Sequence, residues 1–422
     1  IGNFMCYQNK LIRIKHFIIF IIFLSLSSAS ENVNQKNKIV LINGYPLTKI
    51  TSKEIKVNKK KNRIFLKNYS KNFTASYYLD QNKIIIDEIF YSRSFDNLKL
   101  KVGKFSINHF YKNTLSTGDM IESGNSLGLP RYYIEYTKIL GKFEIKVSLS
   151  DGVMDKNSFN TERPFIHDKR FFIKNNGFSL GLIHNVIWGG RLEKYGKQPS
   201  TLDDYFRIFA GQGGSETALL TDQGNVLGNA FGVWDFRYIN QFNKFHIDAY
   251  HQTFFEDRSG LELKNRMSKF DGLTGISLSF NNFKFLFEYL KTTYQGGNTH
   301  PPGVDSYYYN GVYENGYIYK DRTIGNIFLS PYKNRMNVKH ISFQNKIRNS
   351  LIKIHYSDIK EYDISYRGFP PSGTVDLNND KFKQFSEKSI YFEQKIKDFN
   401  LGFFIEKKQK DINVVSKLTF EF

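Results

Sequence analysis

The chain has 422 residues, with 60 Lys and Arg against 40 Asp and Glu for a formal charge of +20, and is 40% hydrophobic and 16% aromatic. A mean hydropathy of −0.45 excludes a conventional bundle of membrane helices. The single cysteine, Cys6, precedes the N-terminal apolar run, so a chain processed after that run has no disulfide, thiolate metal site or thiol nucleophile.

Residues 1–30 read as a signal peptide. Lys10, Arg13 and Lys15 form a basic n-region, residues 17–26 are almost purely apolar, and Ser27, Ser28, Ala29 and Ser30 suit cleavage. The apolar run is too short to cross a bilayer as a helix. These residues hold three basic and no acidic side chains, so the exported chain carries 20 − 3 = +17. That balance favours anionic partners. An exported protein meets lipid phosphates and acidic polysaccharide rather than nucleic acid, and most of the charge is assigned to Lys on solvated turns.

Residues 31–62 read as a periplasmic lead-in with a first strand between 38 and 58, and residues 63–422 as one barrel. Strand pairs follow at 63–67 with 73–79, 83–91 with 98–105, 131–139 with 142–149, and 169–174 with 178–188. The series continues at 231–239 with 245–254, 273–280 with 283–290, 338–347 with 351–356, and 389–396 with 401–406. Asn175-Asn176-Gly177 is a strong tight-turn signal. The closing strand, 411–422, puts Ile412, Val414, Leu418, Phe420 and Phe422 on one side, with Ser416 out of type. Asn413, Lys417, Thr419 and Glu421 lie on the other, with Val415 the exception. Alternate positions of a strand face opposite ways, so one side is oily and one polar. The total is about eighteen strands, an even number, each suited to lipid outside and a polar lumen inside.

Connection lengths sort by side. Turns at 141, 176, 240, 281, 348 and 397 fall on one side, and the long segments 106–130, 150–168, 189–230, 256–272, 291–337 and 357–388 on the other, where two further connections, 80–82 and 407–410, are short and add no support. That is the pattern of short periplasmic turns and long extracellular loops. The expected fold is an all-β transmembrane outer-membrane barrel, in the outer membrane of a Gram-negative cell. Its terminal Phe422 also resembles the C-terminal signal of bacterial outer-membrane barrels.

Recognition belongs on loops held by a rigid frame. Residues 189–232 and 305–325 mix aromatics, Asp, Asn, Arg and Gly. Aromatic faces suit sugar C–H surfaces, and carboxylates, amides and guanidinium suit paired hydroxyls. The same composition serves loops that fold inward and plug a lumen.

In these loops the sequence resembles the capsule assembly protein Wzi family, in its Bacteroides-type form. The matching pieces are Trp188-Gly189-Gly190, the run from Asp204 through Phe209, Gly213-Gly214, Asp222-Gln223, Asn225, Leu227-Gly228-Asn229 and Gly232. Tyr308-Tyr309-Asn310-Gly311, Tyr313, Gly316, Tyr319, Arg322, Ile324-Gly325 and Asn334-Arg335 follow. Ala230 and Tyr317 depart from it, standing where the family often has His and Trp. The resemblance implies an eighteen-stranded barrel that binds capsular polysaccharide and organises it at the cell surface. Polysaccharide is then expected on Trp188, Arg191, Asp204, Tyr205 and Arg207 of one loop and Tyr308, Tyr309, Tyr313 and Arg322 of the other. Arg207 equally suits a structural pairing with Asp203 or Asp204. Outer-membrane lipid and, during biogenesis, the barrel assembly machinery complete the expected partners.

Catalytic readings are weak. Asp203-Asp204 with His184 or His167 would need hydrogen-bonding reach that sequence adjacency does not supply. No Gly-x-Ser-x-Gly occurs. Asp222, Asn225 and Asn229 match no calcium loop, and the nine His residues lack metal-ligand spacing. No enzyme activity, cofactor or metal is expected. The rival function is a porin or polysaccharide export channel, and the lumen is the expected discriminator: residues 189–232 folded inside the barrel favour the binder, and a wide open lumen favours the porin.

Overall fold

The computed structural model describes residues 36–44, 47–49, 62–80, 83–107, 114–224, 226–255, 271–295, 307–362 and 381–421. The expected signal peptide, most of the lead-in, and Asn225 and Phe422 lie outside the described residues. Eighteen strands form one antiparallel sheet. They are β1 (Lys36–Asn43), β2 (Asn62–Tyr69), β3 (Phe73–Asp80), β4 (Lys83–Phe95), β5 (Leu98–Phe105) and β6 (Leu129–Leu140). Then come β7 (Phe143–Val153), β8 (Phe165–Asn175), β9 (Phe178–Trp188), β10 (Asn229–Phe242), β11 (Phe245–Phe255) and β12 (Gly272–Phe280). The last are β13 (Phe283–Lys291), β14 (Met336–Ile347), β15 (Ser350–Tyr362), β16 (Phe382–Ile396), β17 (Phe399–Lys408) and β18 (Asp411–Glu421).

Each strand pairs with the next, and β18 pairs with β1 from Ser416↔Asn43 to Glu421↔Lys38, which closes the barrel. Closure removes the edges, so strand backbone polar groups are satisfied without water. Outward positions carry exposed aliphatic and aromatic side chains, among them Ile84, Ile134, Phe171, Leu180, Ile276, Phe285, Ile354, Phe392, Ile405 and Val414. At the end bearing the short turns, outward rings meet across neighbouring strands: Phe178 with Tyr238 at 4.5 Å, Phe245 with Phe280 at 4.4 Å and Phe399 with Phe420 at 5.9 Å. This is the aromatic girdle expected at a membrane interface. The turns themselves are tight, with positive φ at Asp96, Gly141, Asn176, Asn243, Asn281, Arg348 and Lys397.

Several strands run further toward the long loops than the sequence alternation reaches. β8 begins at Phe165 instead of 169, and the β15–β16 pair extends to Tyr362 and Phe382. At that rim the oily-out, polar-in rule lapses, because loops cover both faces. Ile166 points inward into an apolar core, and His167 points outward yet is fully buried.

Among the described residues the lumen is filled chiefly by two segments, 114–128 from the β5–β6 loop and 307–335 from the β13–β14 loop, and residues 47–49 of the β1–β2 loop enter beside them, Leu47 N donating to Glu406 at 2.8 Å and Lys49 Nζ to Phe328 O at 3.0 Å. Leu115, Met120, Ile121, Leu127, Tyr307, Tyr308, Tyr317, Ile324 and Phe328 form one core with inward-facing Phe172, Ile183, Phe231, Tyr250, Phe254 and Leu286. Polar latches fix the plug. Glu288 accepts from Ser116 Oγ at 2.5 Å and Thr117 N at 2.7 Å. Gln252 Oε1 accepts from Met120 N at 3.0 Å, and Arg131 donates to Glu122 at 2.9 Å. The two segments also hold each other: Ser123 N donates to Ile324 O at 2.9 Å, and Asn326 Nδ2 to Gly118 O at 2.8 Å. The expectation that residues 189–232 occupy the lumen is overturned.

Candidate functional site

The 189–228 loop starts across the mouth and then turns down the outer wall. Arg191–Leu192 forms a small ladder with Asn160–Glu162 and Gly196–Lys197, and Leu192 joins the lumen core. Beyond Pro199 the chain folds into α1 (Leu202–Ala210) and the short α2 (Leu220–Gly224). Local chemistry dictates α1. Thr201 caps its start, Asp204 closes a capping box, and Gly211 ends it in the left-handed conformation at φ +66°. Tyr205 and Ile208 then pack on side chains that point away from the lumen, Val186, Trp188 and Ala230. Apolar rim positions that would meet lipid are thereby covered by the protein's own helix.

The expected site residues fall into two separate places. On the outer flank, Trp188 is buried with its ring 5.2 Å from Phe165 and 6.0 Å from Tyr205. Tyr205 donates to Asp151 Oδ2 at 3.1 Å, and Asp151 also bonds His167 at 2.7 Å. Asp204 is buried as the capping carboxylate, and Arg207 Nε donates to Asp203 at 2.7 Å. In the plug, Tyr308 stacks on Tyr317 at 5.0 Å and donates to Met120 O. Tyr313 donates to Gly189 O at 3.1 Å, and Arg322 to Asn125 Oδ1 at 3.2 Å. Burial pulls Arg322 down to about 10. Asp204, Tyr308, Tyr313 and Arg322 thus form framework, each with its polar group engaged inside the protein.

Arg191 and Tyr309 reach the mouth. Arg191 is exposed and paired with Glu162 at 2.9 Å. Tyr309 is half-buried, with its ring 6.5 Å from Tyr332. Around them lie groups the sequence reading did not select. Lys194 sits 4.9 Å over the Tyr195 ring and within electrostatic reach of Glu314 and Tyr309. Phe159, Lys156, Arg163 and Lys197 are exposed, and Lys320 pairs with Asp155. A narrow cleft lined by Met154, Asp155, Asn160, Tyr313 and Asn315 opens among these loops. The mouth therefore offers aromatic faces beside cations and carboxylates. The loop at 154–164 carries a single aromatic, Phe159, in the sequence, and only the ladder with Arg191–Leu192 reveals its position at the mouth.

The acid–His pairs weighed in the sequence do not assemble: Asp203 is committed to Arg207, Asp204 to the helix cap, His167 to Asp151, and His184 stacks on Phe255 at 6.1 Å. Among the described residues no group of three or more His, Cys, Asp or Glu could hold a metal ion. Asp222 instead supports the flank loop, accepting from Gly228 N at 3.3 Å, and burial pushes its carboxyl up to about 6. A carboxyl raised from 3.8 favours the folded loop when protonated, so its contribution is full below pH 3.8 and lost as pH rises through about 6. Amide exchange of residues 212–228 is expected to slow as pH falls from 7 to 5, once corrected for intrinsic rates. Asp222→Asn is expected to flatten that dependence; an unchanged slope in the variant would assign it elsewhere.

The model of the capsule assembly protein Wzi family matches residues 130–334. Among solved structures, the chain is similar to Wzi of Escherichia coli, described as an outer-membrane protein involved in group 1 capsule assembly and a carbohydrate-binding β-barrel. That likeness has a TM-score of 0.61 at 12% identity and covers 95% of this chain and 87% of that one. OccK2 (OpdF) of Pseudomonas aeruginosa gives a TM-score of 0.46 at 8% identity over 92% of this chain and 97% of that one. OccAB3 of Acinetobacter baumannii gives 0.42 at 12% identity over 92% and 99%. No curated protein sequence gives a significant match.

Proposed function

We propose that this outer-membrane barrel is a member of the capsule assembly protein Wzi family, whose model matches residues 130–334, and that it binds capsular or other surface polysaccharide at its extracellular mouth. In this reading it is non-enzymatic and helps assemble or retain the polymer on the cell surface. The observation that carries the proposal is the closed lumen. The two segments that fill it rise into a mouth where Tyr309, Tyr195 and Phe159 lie among Arg191, Lys194 and Arg163. A surface of that kind meets a polymer from outside. The coarser neighbour similarity agrees, since the Escherichia coli barrel is described as carbohydrate-binding.

Of the residues expected to hold ligand, Arg191 and Tyr309 are the direct contacts in this proposal, and Arg207 and Tyr205 border them from the flank. Trp188, Asp204, Tyr308, Tyr313 and Arg322 act through the shape they give the loops. Glycan contacts of this sort are each weak, and a long polymer retained by many copies gains by avidity. Each lost contact is of order 1 kcal/mol, a several-fold loss of retention. Tyr309→Ala, Tyr195→Ala and Arg191→Ala are therefore expected to keep heat-modifiable gel mobility while cells shed capsule, with the triple variant shedding most. If the folded triple variant retains polysaccharide like the parent, the mouth is not the binding surface.

A further inference from the structure

α1 has three distinct faces. Tyr205 and Ile208 turn to the barrel wall, and exposed Asp203 bridges to half-buried Arg207 one turn on at 2.7 Å on another side. Leu202, Phe206 and Phe209, spaced i, i+4 and i+7, make the third face and are exposed to 72%, 59% and 43%. Leu220, the first residue of α2, adds an 85% exposed side chain in the same loop. A soluble loop gains nothing by presenting this row to water.

The helix position identifies its occupant. Lys169 and His167 point outward from β8; Lys169 Nζ donates to Ile208 O at 3.4 Å, and the His167 ring lies 5.7 Å from Phe209. The next outward residue of β8, Phe171, is 41% exposed and belongs to the apolar band. The Phe209 end of α1 therefore adjoins the lipid-facing wall directly, at the height where β8 approaches its loop end. A helix with one face on the wall, one charged face and one apolar face fits flat at the boundary between headgroups and acyl chains.

We infer that α1 is an in-plane anchor whose Leu202, Phe206 and Phe209 insert among the acyl chains of the outer leaflet. The helix thus fixes the mouth-bordering loop at a set height above the membrane. This inference does not depend on what the mouth binds. It is tested by spin labelling in a Cys6→Ser background, which otherwise has no cysteine. Phe206→Cys, Leu202→Cys and Asp203→Cys are labelled separately in protein reconstituted into phospholipid vesicles, with Val414→Cys as the lipid reference. Labels at 206 and 202 are expected to favour oxygen over a water-soluble nickel chelate, as at 414, and the label at 203 the reverse. Nickel preference at both 202 and 206 would place the face in water. Dipolar broadening between molecules at 206 would assign it to a second copy. Either result overturns the anchor.

Discussion

The intact protein is expected to show little or no steady conductance in planar bilayers, and removal of the plug is expected to convert it into a wide, stable channel. An eighteen-stranded wall encloses an aqueous pore unless side chains or loops fill it, and here residues 114–128 and 307–335 fill it. The deletions are geometrically simple. Each segment joins neighbouring strands, Phe105↔Leu129 being paired between β5 and β6 and Lys291↔Asn337 between β13 and β14. A short Gly-Ser linker spans either gap. Replacing one segment leaves the other partly latched by Glu288 or Asp271, which Tyr307 contacts at 3.1 Å, so the double replacement should conduct most. Deleting residues 193–216 should leave the lumen closed, because residues 193–198 only cross the mouth and the rest of that loop lies on the outer flank. A large conductance from the intact protein would restore the channel function, and opening by the 193–216 deletion would refute the assignment of the plug.

Strand number and orientation were legible because lipid imposes a period of two on every strand, and because short and long connections alternate between two compartments. The fate of the long loops was not. The loops at 189–228 and 307–335 share Gly, Tyr, Asp and Arg, and composition cannot say which enters the lumen. The deciding signals are local. Thr201, Asp204 and Gly211 mark a helix, and Val186, Trp188 and Ala230 extend an outward apolar row into a loop that can cover it. For the candidate site, Arg191 and Tyr309 were found at the mouth, whereas Tyr308, Tyr313 and Arg322 serve the interior. Aromatic-rich loops read alike whether their rings stack on a ligand or, as with Tyr308 on Tyr317, on one another. Lys194, Tyr195 and Phe159 become neighbours of these residues only through the ladder between Arg191–Leu192 and Asn160–Glu162.

Leu418→Arg is expected to impair assembly, and Lys417→Leu is expected to be tolerated, although the two positions are adjacent. Leu418 lies in an outward row with Leu41 on β1 and Leu401 on β17, across the seam that closes the barrel. Lys417 faces the lumen, with its ammonium 5.5 Å over the Tyr391 ring, where a Leu side chain meets Tyr391, Val415 and Phe404 instead. A cation on the lipid face costs about 2–4 kcal/mol at mid-bilayer and about 0–1 near the interfaces. Leu418 sits one outward step above Phe420 of the periplasmic girdle, so its cost lies below the midplane maximum, but it falls on the seam that closes the barrel. A seam weakened there leaves β1 and β18 as open edges in a medium that cannot hydrate them. Urea titration in lipid, with heat-modifiable gel mobility as the fold readout, should rank Lys417→Leu beside the parent and Leu418→Arg well below it. Equal folding of the two variants would mean that the faces of β18, and with them the lipid band of the barrel, are assigned the wrong way round.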